Sequence, residues 1–159
     1  MKPIIAALFI IILAFYAGCV TAAKEDLTVT RIELRVKKDA LSPPTAGELQ
    51  SALDPFFRAR RFIPDSEAKV TPQRDAIASA MKLPVAEGEA IIAVWQPELP
   101  TESTYTEVRL CTKADAFVVD VIGVNEEQVG AEACAVQEHL MGKFSALKMT
   151  VESHKVGDN

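Results

Sequence analysis

Only two imidazoles, His139 and His154, occur in the 159 residues, and neither stands beside a nucleophile in a pattern that acyl transfer would use. His139 falls near the end of an expected helix, where a ring commonly meets terminal carbonyls, and His154 falls in a polar tail. Cys111 and Cys134 lack the Cys-x-x-Cys spacing of thiol oxidoreductases. A zinc site would need further ligands close to that pair, so no metal and no cofactor is expected. Seven glycines are scattered singly, without a phosphate-cradling loop. Asp120 is the most unusual acid, because it interrupts an apolar strand between Val119 and Val121. Arg109, on the strand expected alongside, is its expected partner. A glycan-cleaving enzyme would need a second carboxyl roughly 5 to 9.5 Å away across a cleft. Glu126-Glu127 reads first as compensation of a helix dipole. Arg58, Arg60 and Arg61 cluster at a helix end, either as a solvated group or as a surface for an anionic partner.

The elements that must position these residues follow from periodicity. Ile32, Leu34 and Val36 alternate with Arg31, Glu33, Arg35 and Lys37, which predicts a half-buried strand. After Pro43-Pro44, Thr45 to Glu48 is a capping box, and Leu49, Leu53 and Phe56 share a helical face that Asp54-Pro55 kinks or divides. Thr71-Pro72 starts a second helix through Ile77 and Met81, with 62–70 as loop. Ala90 to Trp95 is a continuous apolar run suited to an interior strand. Thr104 to Thr112 and Ala116 to Val124 predict a hairpin. Asn125 caps a last helix with Val129, Ala133, Val136 and Leu140 in one stripe, closed by Gly142. Phe144 to Glu152 returns as a strand. The order β-α-α-β-β-β-α-β predicts an α+β domain over 27–152, with about five mainly antiparallel strands, helices on one face, a charged open face, and a polar tail over 153–159.

The first 18 residues have signal-peptide grammar: Lys2 is positive, Ile4 to Ala17 is apolar and uncharged, and small residues follow. Tyr16-Ala17-Gly18-Cys19 resembles the lipobox of bacterial lipoprotein precursors, with Tyr16 where that family prefers leucine. The resemblance implies a lipid on Cys19, with 19–26 as a lead-in to the domain. Val20, in place of a retaining aspartate, implies an outer-membrane destination facing the periplasm. Val20-Thr21-Ala22 also satisfies ordinary secretory cleavage, and Ile4 to Ala23 is about long enough to span a bilayer uncleaved. All three routes carry the domain out of the cytoplasm. Export makes Cys111 and Cys134 an expected disulfide pair.

The whole chain carries 17 Lys and Arg against 22 Asp and Glu, a net charge of -5. Without Lys2 the balance is 16 against 22, or -6. That sign argues against nucleic acid, which calls for a basic face. The expectation is a noncatalytic, membrane-anchored envelope lipoprotein that binds a protein or serves as a scaffold. The alternatives are a periplasmic immunity or inhibitor protein, and a carboxylate-dependent enzyme acting on cell wall.

Overall fold

The computed structural model describes residues 26–157. Nine-residue β1 (Thr28–Val36) is followed by α1 (Ala46–Ala59), β2 (Phe62–Pro64), a 3-10 turn (Asp65–Glu67) and α2 (Pro72–Met81). Then come β3 (Glu89–Pro97), β4 (Thr106–Lys113), β5 (Ala116–Gly123), α3 (Glu126–Lys143) and β6 (Leu147–Lys155). The α+β class holds. The six strands form one antiparallel sheet in the order β2-β3-β4-β5-β1-β6.

Local signals explain where the helices begin. Thr45 Oγ1 accepts from the Glu48 amide at 3.2 Å while the Glu48 carboxylate accepts from the Thr45 amide at 2.7 Å, completing the capping box. Thr71 and Asn125 cap α2 and α3 through the amides of Arg74 and Gln128. Contrary to the expected break, α1 runs unbroken through Pro55. Pro55 and Ser51, whose carbonyl loses its amide partner, both lie on the exposed side of α1, where water can serve that carbonyl. Gly142 likewise lies inside α3, which ends one residue later.

One face of the sheet carries the main core. Ile32, Leu34, Val108, Leu110, Val119 and Val121 meet Leu49, Leu53 and Phe57 of α1 and the Val129 to Leu140 stripe of α3. Each of these strand residues is 0% exposed. Burial of each large side chain contributes about 1.5–3 kcal/mol.

Four expectations need correction. First, there are six strands, because Phe62–Pro64 pairs with Trp95–Pro97; three residues are too few to show a period. Second, the helices do not share one face. Ile77 and Met81 of α2 pack with Leu27, Val29, Tyr105 and Ile122 in a second, smaller core, and Val29 and Ile122 alternate out of the main one. Third, β3 is interior only at its end, since β2 reaches no further than Trp95, and Ile91 is 45% exposed. Fourth, residues 153–155 are strand, not tail: β6 pairs with β1 as far as Thr28 opposite Lys155. An outer strand with mostly exposed side chains needs no apolar alternation, so the sequence carried no sign of it.

Candidate functional site

Strand alternation puts Arg31, Glu107, Arg109, Cys111 and Asp120 on the second face, below or beside α2. The register sets Asp120 directly between Arg31 of β1 and Arg109 of β4. Asp120 chooses Arg31. Arg31 Nε and Nη2 donate to the two Asp120 oxygens at 2.8 Å each, and Nη1 and Nη2 reach Glu89 at 3.1 Å. The Glu89 side chain is 1% exposed and takes further charge from Lys113 Nζ at 3.7 Å. Hydrogen bonding to Asp120 outweighs the burial of Arg31 and raises its pKa further, so this guanidinium stays charged.

Arg109 therefore is not the partner of Asp120. Its Nε donates to Glu107, and its Nη1 donates to the Leu83 carbonyl at 2.9 Å. Glu107 also accepts from the Tyr105 hydroxyl at 2.7 Å and makes a long 3.5 Å contact with Gln96 Nε2. Burial first, and the Glu107 charge second, push the Tyr105 hydroxyl well above the usual phenol range. Two charged clusters thus lie side by side in the sheet's second face, each neutralised from within.

A cleft of about 290 Å³ opens between α2 and this face, with Asp65, Ser79, Lys82, Ile91, Gln96 and Arg109 among its walls. Asp120 is not part of its lining. Among the described residues, no group of three or more His, Cys, Asp and Glu is placed to hold a metal ion.

The other residues singled out in the sequence are not gathered at this site. Arg58 bridges Asp54 at 2.9 Å and Glu67 at 2.9 Å, while Arg60 binds Glu132 at 2.9 and 3.0 Å and lies over the Phe56 ring. Arg61 sits in the left-handed region at φ 63°, where the chain turns from α1 into β2. Two of the three arginines are thus compensated by carboxylates. His139 Nε2 lies 3.0 Å from the Ala52 carbonyl and the ring stacks on Phe56, which ties α3 to α1. His154 is a β6 residue opposite Val29.

The expected bond between Cys111 and Cys134 is not formed. Cys111 is a buried thiol on the second face, while Cys134 is exposed on α3, across the sheet. Desolvation, reinforced by Asp120 and Glu89, pushes the Cys111 thiol up to about 11, so it stays protonated and poorly nucleophilic at neutral pH. Cys19, Tyr16 and the rest of the leader lie outside the described residues, and among the described residues no helix is long and apolar enough to cross a membrane.

Glu89 and Tyr105 were missed as members of this layer, whereas Arg31 and Glu107 were expected on the charged face but without their partners Asp120 and Arg109. Arg31 and Glu107 carried a signal, since each stands out of phase with the apolar face of its strand. Tyr105 and Glu89 carried none, because they stand just before or at the first residue of a strand. No family model matches the chain, and neither a curated protein nor a solved structure matches it.

Proposed function

We propose that this chain is an envelope lipoprotein, anchored through lipid on Cys19, whose domain binds a protein partner and performs no catalysis. The tether rests on the lipobox-like Tyr16-Ala17-Gly18-Cys19, and an outer-membrane address facing the periplasm follows from Val20. The binding half rests on one observation: the candidate acid, base and thiol groups of the second face, together with His139, are engaged inside the fold. Both Asp120 oxygens are held by Arg31, Glu107 is held by Arg109 and Tyr105, His139 is held between helices, and Cys111 is kept as a thiol. A general acid or base needs room to exchange its proton with a substrate. The carboxylate-enzyme reading loses Asp120 as its lead residue.

Intact mass of the membrane-extracted chain tests the tether. The expected product begins at Cys19 and carries diacylglyceryl and acyl mass, with Cys19→Ala leaving the leader attached. A chain beginning at Ala23, or an uncleaved one with unmodified Cys19, would overturn it. Photo-crosslinking from surface positions in intact envelopes tests the binding half. One discrete protein adduct is the expected result, and a uniformly uncrosslinked chain would sink that half.

A further inference from the structure

The cleft beneath α2 has a floor whose hydrogen-bonding capacity the fold leaves incomplete. Gln96 and Arg109 are each 5% exposed and both line it. Of the three guanidinium nitrogens of Arg109, Nε and Nη1 are engaged, and Nη2 has no partner among the described residues. The Gln96 amide nitrogen faces Glu107, because a carboxylate oxygen can only accept, which leaves Gln96 Oε1 without a partner among the described residues as well. Each atom keeps some exposure, and both residues line the cleft. Two residues with a vacant donor and a vacant acceptor therefore line one cavity. Leu83, Val85, Ile91 and Val94 supply apolar walls.

The charges around the cavity cancel: Arg109 and Lys82 are opposed by Glu107 and Asp65. An anion or a cation would meet as much repulsion as attraction. A neutral group offering one donor and one acceptor in a plane meets both vacancies, and that group is a carboxamide. The cleft lies beside the part of β3, Glu89 to Val94, whose outer edge β2 leaves unpaired. A bulge between Ile91 and Ala93 brings both Ile91 and Val94 to the second face, and a strand added along this edge would project alternate side chains beside them.

We propose that the cleft receives the carboxamide of a Gln or Asn side chain on an extended segment of a partner protein, which pairs with the free edge of β3. This rests on the binding half of the proposed function, not on the tether. The probe is a capped five-residue peptide, acetyl-Thr-Val-Gln-Val-Thr-dimethylamide, which has no primary amide besides its Gln. It is titrated into the full processed chain in mild detergent, with glutamine side chains labelled in nitrogen-15.

The side-chain amide signal of Gln96 is expected to shift saturably, with affinity about tenfold or more weaker when the peptide's Gln is replaced by Glu or Leu. Ala78→Phe, which fills the cleft from α2, or Ser79→Phe from its rim if the first does not fold, is expected to weaken binding by a similar factor. Methylating the peptide nitrogens that face β3 is expected to do the same. An unmoved Gln96 signal, equal affinity for all three peptides, or indifference to the cleft-filling variant would overturn the carboxamide site. Indifference to methylation would overturn the strand pairing. Should the peptide fail while the envelope adduct forms, the binding half stands and its surface lies elsewhere; a wrong N-terminal mass leaves this titration unaffected.

Discussion

The two faces of the sheet are made by alternate residues of the same strands, yet they solve different problems. Beneath α1 and α3, Ile32, Leu34, Val108, Leu110, Val119 and Val121 form an apolar surface whose stability comes from packing area and from the absence of voids. One residue out of phase, Arg31, Glu107, Arg109 and Asp120 form ion pairs whose attraction is largely offset by the cost of removing charge from water. The first face stabilises. Both hold the register of β1 against β5, because a one-residue slip would separate Arg31 from Asp120 and also expose the apolar set.

Deletions on the two faces should therefore look alike and replacements should not. Phe57→Ala, at a side chain with 0% exposure touching Phe56, Phe62 and Trp95, is expected to cost about 3–5 kcal/mol in urea unfolding. Glu107→Ala should cost about as much, 3–5 kcal/mol, since it strands the Arg109 charge and the Tyr105 hydroxyl in a buried setting. A loss below about 1 kcal/mol for Glu107→Ala would mean that water reaches this cluster freely, and the contrast between the faces would fail.

Gly123→Ala sharpens the contrast at a point where the apolar side has no slack. A methyl group there would lie 2.8 Å from the Tyr105 carbonyl oxygen and 2.8 Å from a Val129 methyl. The expected loss is about 1–3 kcal/mol, read as a lower urea midpoint with unchanged slope.

The smallest expected effect comes from a carboxylate bonded to a residue of the main core, Trp95. Asp54 accepts from Arg58 and from the indole nitrogen of Trp95, and those bonds, Arg58 first, hold its carboxyl below the ordinary range despite partial burial. A depressed folded pKa stabilises above the unfolded value, about 4, and that contribution is lost as pH falls through the folded value. Asp54→Asn should thus lower the urea midpoint at pH 7 and flatten its decline between pH 7 and 3. An unchanged acid limb would remove Asp54 from the list of groups that set it.

How much of this was legible in the sequence divides along the same line. Most of the apolar face was readable, because Leu49, Leu53, Val129 and Leu140 repeat at helical spacing and Ile32 and Leu34 alternate, while Phe62 was hidden in an expected loop. The second face was readable as charged but not as paired. Asp120 has an arginine on either side of it, and a sequence cannot show that Glu107 and the Leu83 carbonyl would draw Arg109 away. Nor could it show that α2 crosses to that side, since Ile77 and Met81 are too few to mark the face they seek. The disulfide expectation failed for a related reason. Odd or even position along β4 decides which side Cys111 faces, and pairing by elimination ignores it.

β1 follows at once on Leu27 and is held by β5 on one side and β6 on the other. Val156 closes that end through a 2.8 Å bond to the Leu27 carbonyl. A force applied at Leu27 along the axis of β1 would therefore load the hydrogen bonds to β5 and β6 together instead of peeling them one at a time.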